Sequence, residues 1–153
     1  MKLTDYIKPE NIETDLIAED KEEVIEELVE KLAGNTDCCD MDKVYQAVMD
    51  REKDGSTGLE KGVAIPHAKC DDIDRLRVVI GISEKGIDFD SQDGKPSHIF
   101  FLMIAPSSEA GPHVQAIARI VKMIGIEGVS EKLIKAGNAE KLLEVISDVE
   151  NGG

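Results

Sequence analysis

Positive charge is scarce in this chain, which has 18 lysine and arginine residues against 32 aspartate and glutamate residues. The formal net charge is −14 with the histidines neutral. Nucleic acids and anionic membranes both bind through a basic footprint, so we expect neither as a partner. A basic protein partner that is attracted at long range is compatible with this charge, and so is a role in solubility alone.

Cysteines are also few: Cys38 and Cys39 are neighbours, and Cys70 is distant from both. This spacing matches neither a disulfide framework nor a zinc site, so we expect reduced thiols. No apolar run approaches the length of a membrane span, and the N-terminal residues lack the apolar core of a signal peptide. We therefore expect a cytoplasmic protein that does not insert into a membrane.

The length of 153 residues and the hydrophobic content of 41% suit one domain over residues 1–153 with a sizeable core. Several segments have apolar residues at helical spacing, and Asp20 with Glu23 resembles a capping box at the start of the first. Helices are expected from Asp20 to about Gly34, from Asp40 to Arg51, from Gly111 to Ile124, and over 129–136 and 139–149.

Two segments have the patterns of strands. Residues 76–83 alternate in hydrophobicity, and residues 98–105 form a continuous apolar run that ends at Pro106 and fits a central strand covered on both faces. Helices before and after these strands predict an α/β fold, with a single mixed β-sheet flanked by helices on both faces. The helix after Gly111 is expected to bury a stripe made of Val114, Ile117, Ile120, Val121 and Ile124.

The stretch STGLEKGVAIPHAK, at 56–69, contains the first candidate site residue. Pro66 fixes its own φ and pushes Ile65 toward an extended backbone, so the short apolar run 63–65 should deliver His67 to the surface. Imidazole is largely neutral at pH 7 and bonds phosphorus reversibly, which suits a phosphoryl acceptor. A histidine that only packs is the alternative.

The residues before His67 could bind a phosphoryl group. Ser56 and Thr57 offer hydroxyls, Gly58 lies in a loop whose N–H groups can face an anion, and Arg51 supplies a cation nearby. Phosphoryl transfer needs little beyond an in-line nucleophile and such groups around the phosphate oxygens.

The other two histidines differ in their surroundings. Gly111 and Pro112 have the pattern of a helix start, which places His113 in the first turn, just past a central strand. Ligands collect at that edge of α/β sheets, and a helix N-terminus there favours anions. An exposed polar residue with no role is the alternative for His113, and packing is favoured for His98.

Other chemistries find less support. A Ser–His hydrolase using Ser56 would lack the G-x-S-x-G elbow, and no G-x-x-x-x-G-K-[ST] phosphate loop occurs. No pair of residues shows the spacing of metal ligands, although His67 and His113 could in principle share a zinc ion with a carboxylate. We expect no metal and no cofactor.

With these residues assembled, the chain resembles the enzyme IIA domain of the bacterial phosphoenolpyruvate-dependent phosphotransferase system, in its fructose–mannitol superfamily. The resemblance covers nearly the whole chain and is strongest in REKDGSTGLEKGVAIPHAK (51–69) and GIDFDSQDGKPSHIFFLMIAPSSEAGPHVQAIARI (86–120). It implies that His67 accepts a phosphoryl group from a small histidine phosphocarrier protein. It also implies active-site roles for Arg51 and His113, and a phosphate-flanking role for Ser56 and Thr57.

The sequence departs from that family at Glu60 and Lys61, where many relatives have Gly-Asn. A carboxylate near an incoming phosphate would repel it, so we expect Glu60 to point outward or Lys61 to offset its charge. The absence of an attached IIB, membrane or helix-turn-helix domain favours the nitrogen-regulatory branch. A sugar-specific IIA that passes phosphate to a IIB domain remains an alternative, as does a regulator that is never phosphorylated and only binds proteins.

Overall fold

The computed structural model describes residues 1–35, 39–108 and 111–152. Two short 3-10 turns at Leu3–Asp5 and Pro9–Asn11 precede the first strand. The strands are β1 (Ile12–Glu13), β2 (Val63–Ala64), β3 (His67–Cys70), β4 (Arg77–Ile87) and β5 (Ser97–Pro106). The helices are α1 (Lys21–Asn35), α2 (Met41–Lys53), α3 (Gly111–Ile124), α4 (Val129–Ile134) and α5 (Ala139–Glu150).

Strand β5 lies inside the sheet, between β4 on one edge and both β2 and β3 on the other. The β4–β5 pair is antiparallel, whereas β2 and β3 follow one another parallel to β5, and β1 pairs in parallel with the outer edge of β4. Parallel and antiparallel pairs occur together, so the predicted mixed sheet is confirmed.

The side chains of β5 are buried on both faces, as the continuous apolar run predicts. Alternate residues of this strand enter two hydrophobic clusters: Ile99, Phe101 and Met103 pack with helices α3 to α5, and Phe100 and Leu102 pack with α1 and α2. Each of these five side chains is fully excluded from solvent. Helices therefore cover both faces of one sheet, and the predicted fold class is confirmed.

Local capping chemistry determines where the first two helices begin. The Asp20 carboxylate accepts a hydrogen bond from the Glu23 N–H at 2.8 Å, and Asp40 accepts from the N–H groups of Asp42 and Lys43. Helix α1 continues one residue past Gly34, the predicted end. Among the predicted thiols, Cys70 is buried outside any disulfide between described residues, and Cys38 lies outside the described residues.

The predicted buried stripe of α3 is wrong at two positions. Val114 and Val121 are 56% and 48% exposed, while Ala116 and Met123 take their places on the buried face beside Ile120. Helix α3 carries apolar residues on more than one face, so spacing alone does not identify the face that packs on the sheet.

Among the helices of the described residues, none combines the length and the apolar character that crossing a membrane requires. The prediction of one domain over residues 1–153 stays a prediction.

Candidate functional site

The Pro66–His67 segment carries the first candidate residue to the edge of the sheet. Ile65 is 2% exposed, and His67 opens β3 opposite Met103 of β5. The His67 Nδ1 atom lies 2.8 Å from the Ile65 carbonyl oxygen. A carbonyl oxygen only accepts hydrogen bonds, so Nδ1 carries the proton and the lone pair of the neutral ring is on Nε2.

His113 lies in the first turn of α3, as predicted, and the structure brings its ring to that of His67. The two ring centroids are 6.2 Å apart, with their planes tilted by 31°. The His113 Nδ1 atom is buried and has no hydrogen-bond partner in the described part of the chain. A buried polar atom without a partner is costly, so a bound group that satisfies it would be favoured.

Both imidazoles are held toward the neutral form. Burial lowers the pKa of His67 below its ordinary value; the hydrogen bond to Ile65 and the charge of Glu52 raise it, and the charge of Arg51 lowers it. Burial also lowers the pKa of His113, and His67 and Lys69 lower it further. A neutral ring keeps the Nε2 lone pair of His67 available as a nucleophile at pH 7.

Arg51 lies at the end of α2, where it meets the Gly55–Gly58 loop. Its Nη1 atom donates to the Gly55 carbonyl oxygen at 2.9 Å, and its charge is close enough to lower the pKa of His67. The guanidinium retains further N–H groups besides the one bound to Gly55, because it has five donors in all. Arg51 is thus anchored near His67 and has further N–H groups available to bind an anion.

The two loop hydroxyls are already hydrogen-bonded within the protein. Ser56 Oγ donates to the Phe89 carbonyl oxygen at 2.6 Å and accepts from the Gly58 N–H at 3.0 Å. Thr57 is buried, and its hydroxyl and its N–H both donate to the Glu52 carboxylate. These contacts fix the shape of the loop, and the phosphate-binding role of Ser56, Thr57 and Gly58 stays a prediction.

Ser56 is also badly placed for a Ser–His hydrolase, because its hydroxyl hydrogen is directed at a backbone carbonyl and not at a histidine. The described residues contain no cluster of three or more histidine, cysteine or carboxylate side chains able to hold a metal ion. His98, the third histidine, donates from Nδ1 to the Ser83 carbonyl oxygen in the manner of a packed residue.

Sequence reasoning missed two residues near this site. Lys69 follows His67 by two positions in β3, so both side chains lie on the same face of the strand, and its charge reaches His113. Period-2 spacing after His67 was the available signal for Lys69. Glu52 is buried below the loop, and no pattern in the sequence distinguishes it from the many exposed carboxylates.

The Glu60–Lys61 departure lies far from the histidine pair. Glu60 is exposed, and the following turn delivers Gly62 to the start of β5, where the Gly62 carbonyl oxygen accepts from the His98 N–H. His67 is instead opposite Met103, five residues or about 17 Å further along β5. Glu60 is therefore not positioned to repel a phosphate at His67.

The chain matches a known protein family over most of its length. Residues 5–149 match the family described as phosphoenolpyruvate-dependent sugar phosphotransferase system, EIIA 2. A nitrogen regulatory protein from Bradyrhizobium diazoefficiens is 31% identical over 147 residues, covering 96% of this chain and 95% of that protein. The fructose-specific EIIABC component of Bacillus subtilis is 29% identical over 96% of this chain, which spans only 23% of that longer protein.

Solved structures show the same fold. Nitrogen regulatory protein IIA-Ntr from Neisseria meningitidis superposes with a TM-score of 0.87 at 25% identity, covering 93% of this chain and 97% of that one. The complex of enzyme IIA and phosphorylated enzyme IIB for mannitol from Escherichia coli contains a chain that matches with a TM-score of 0.80 at 25% identity, covering 93% and 97%.

Proposed function

Because the chain belongs to the EIIA 2 family of the phosphoenolpyruvate-dependent sugar phosphotransferase system, we propose that it carries phosphoryl groups on the Nε2 atom of His67. The observation that carries this assignment is the paired geometry of two half-buried imidazoles: Nδ1 of His67 is tied to a carbonyl, and the buried Nδ1 of His113 has no partner among the described residues. A histidine phosphocarrier protein is the proposed donor.

The proposed transfer needs no proton acceptor, because the attacking nitrogen of His67 carries no proton. The Nε2 lone pair of His67 forms the new N–P bond while the N–P bond of the donor breaks, and its electron pair returns to the donor imidazole. His67 keeps its Nδ1 proton throughout, in the hydrogen bond to Ile65. The positive charge that the phosphorylated ring then carries is next to the dianionic phosphoryl group, which stabilises it.

His113 and Arg51 have separate proposed roles around the transferred group. A neutral His113 donates one N–H to a phosphoryl oxygen, which would satisfy its buried nitrogen. Arg51 and Lys69 supply positive charge near the two rings. Charge of this kind, preorganised around the phosphoryl oxygens, is the main contribution that a protein makes to this reaction.

The exposed face of α3 is the proposed contact for the phosphocarrier. Val114 directly follows His113, and Val121 lies two turns further along the same face. An apolar strip that borders the phosphoryl acceptor would bury area on docking while leaving His67 reachable. The net charge of −14 would attract a basic partner toward the chain as a whole, without selecting this face.

We assign the chain to the nitrogen-regulatory branch, as a single phosphorylated domain over residues 1–153. The support is that the match extends over 95% of the Bradyrhizobium nitrogen regulatory protein, and that the Neisseria IIA-Ntr structure superposes with a TM-score of 0.87. A sugar-specific role, with onward transfer to a IIB domain, is the second candidate. It is favoured by the match to the Bacillus fructose component and to the mannitol IIA–IIB complex.

The experiment is phosphorylation with labelled phosphoenolpyruvate, enzyme I and a panel of phosphocarrier proteins. We expect one phosphoryl group per chain that is lost in acid and survives in base, as an N-linked phosphohistidine is. His67→Gln should abolish labelling, and the matched control His98→Gln should not. Stoichiometric labelling of His67→Gln at the wild-type rate would remove His67 as the acceptor. If the labelled protein passes its phosphoryl group to no IIB domain, the regulatory branch is favoured. Rapid transfer to a IIB domain favours the sugar branch.

A further inference from the structure

Glu52, the residue after Arg51, is a carboxylate that the loop closes over. Its side chain is 3% exposed. Both carboxylate oxygens accept from the Thr57 N–H, at 3.3 and 3.2 Å, and one of them also accepts from the Thr57 hydroxyl. A carboxylate is rarely buried this far unless its charge and its hydrogen-bonding capacity are both satisfied.

The charge of Glu52 is balanced by Lys21, at the first residue of α1. The Lys21 Nζ atom lies 2.9 Å from a Glu52 oxygen and 3.5 Å from an Asp90 oxygen, and it sits 4.7 Å from the centre of the Phe89 ring. Phe89 is also the residue whose carbonyl oxygen receives the Ser56 hydroxyl. The ion pair therefore joins α1, the end of α2 and the Gly55–Gly58 loop in one contact.

From Thr57, two further hydrogen bonds lead to the phosphoryl acceptor. The Thr57 carbonyl oxygen accepts from the Ile65 N–H at 3.1 Å, and the Ile65 carbonyl oxygen accepts from His67 Nδ1 at 2.8 Å. Thr57 is thus held by Glu52 on its N–H and hydroxyl while its carbonyl holds Ile65. Pro66 follows Ile65 and has a fixed φ, so the orientation of the Ile65 carbonyl also determines where the His67 backbone lies, from which the imidazole extends.

We infer that Glu52 is a positioning residue for phosphoryl transfer, which holds the Thr57–Ile65–His67 hydrogen bonds in place from below the loop. The inference rests on the proposed function for its consequence on rate, but the geometry that it describes exists in the unphosphorylated protein. Glu52 touches neither the phosphoryl group nor the reacting nitrogen, so it acts through Thr57 and Ile65.

A carboxylate at this position also adds charge that an amide would not. Among the described residues, Arg51, Glu52 and Lys69 carry charges that shift the pKa of one or the other histidine of the pair, and His67 itself lowers the pKa of His113. Arg51 lowers the pKa of His67 and Glu52 raises it. Glutamine at position 52 would keep the size of the side chain and remove this opposing charge.

The test compares Glu52→Gln and Glu52→Asp with Glu60→Gln, which removes an exposed carboxylate at the far end of the sheet. One measurement is the titration of His67 followed by nitrogen NMR in the unphosphorylated protein, together with the protection of its Nδ1 proton from exchange. The other is the single-turnover rate of transfer from the phosphocarrier, as a function of phosphocarrier concentration. Thermal melts confirm that each variant is folded.

We expect Glu52→Gln to lower the pKa of His67 and to speed exchange of its Nδ1 proton. The maximal transfer rate should fall about tenfold, while the phosphocarrier concentration at half-maximal rate is unchanged. Glu52→Asp keeps the negative charge but has a shorter side chain that reaches less far toward Thr57. We therefore expect faster Nδ1 exchange and slower transfer than in the wild type, with a smaller change in the His67 titration than in Glu52→Gln. Glu52→Asp also provides the test if Glu52→Gln does not fold.

The inference would be overturned if folded Glu52→Gln had the same His67 titration, Nδ1 proton exchange and transfer rate as the wild type and as Glu60→Gln. A wild-type protein that accepts no phosphoryl group from any phosphocarrier would instead contradict the proposed function. The NMR measurements would still decide whether Glu52 positions His67, because they need no phosphoryl donor.

Discussion

Replacing His113 by alanine removes the ring that lies 6.2 Å from His67 while leaving the acceptor and its hydrogen bond to Ile65 in place. In the proposed mechanism one N–H of His113 binds a phosphoryl oxygen. A hydrogen bond to a charged group contributes about 1.5–3 kcal/mol, and each 1.4 kcal/mol corresponds to a factor of ten in rate. We therefore expect His113→Ala to slow transfer roughly tenfold to a hundredfold.

The loss should fall on the chemical step and not on folding. His113 is only half-buried in the first turn of α3, and its buried Nδ1 makes no hydrogen bond in the described residues, so removing it leaves no new unpaired group behind. The variant should still label on His67 in an overnight reaction, because the nucleophile is intact. Its thermal melt should remain close to that of the wild type.

The assay is single-turnover transfer to and from the phosphocarrier in rapid-quench experiments, with phosphohistidine measured after quenching in base. His98→Gln is the matched control, because His98 lies at the other end of β5 and donates to Ser83. Unchanged forward and onward rates in folded His113→Ala would refute the reasoning and leave His113 as a residue that only begins a helix.

Two further predictions concern stability. Gly58→Ala would place a Cβ atom 2.6 Å from Ser91 Oγ and 2.9 Å from the Phe89 carbonyl oxygen, so we expect the free energy of unfolding, measured by urea titration, to fall by about 1–3 kcal/mol. Gly34→Ala is the control, because a Cβ atom there meets open space and should cost nothing. Equal free energies of unfolding for the two variants would contradict this packing. Folding lowers the pKa of His67, so on acidification the unfolded chain binds a proton at this residue before the folded chain does. The neutral His67 therefore contributes its full stability above the unfolded pKa of about 6.5. That contribution is lost as the pH falls from there through the folded pKa. Melting temperatures of the wild type should thus fall more steeply on acidification than those of His67→Gln, and parallel curves would rule the contribution out.

Much of the fold was predictable because its strongest determinants are local. A continuous apolar run specified β5 as a buried central strand, and Asp20 and Asp40 marked two helix starts through their carboxylates. The proximity of His67 and His113 was implied only by the family resemblance, because the sequence patterns indicated no strand at His67, which begins β3 beside β5.

The rest depended on contacts between distant parts of the chain. The buried face of α3 could not be read from spacing, because Val114 and Val121 are as apolar as the residues that pack on the sheet. The hydroxyls of Ser56 and Thr57 suggested free donors, yet Phe89 and Glu52 engage them from other elements. A hydroxyl binds whichever acceptor the fold brings within reach, and sequence adjacency to a histidine does not determine that acceptor.

The overall charge of the chain and the charge at the site act on different length scales. A phosphoryl group adds up to about two negative charges to a chain that already carries −14, which by itself would oppose phosphorylation. Exposed charges more than about 8 Å apart are largely screened at physiological ionic strength, however, so most of the 32 carboxylates contribute little at His67. The carboxylate of Glu52 does reach His67, and Lys21 offsets its charge from 2.9 Å. The positive charges of Arg51 and Lys69 then outweigh the negative charge near the two rings. The acidic surface can therefore attract a basic partner while the electrostatic potential at the histidine pair still favours an anion.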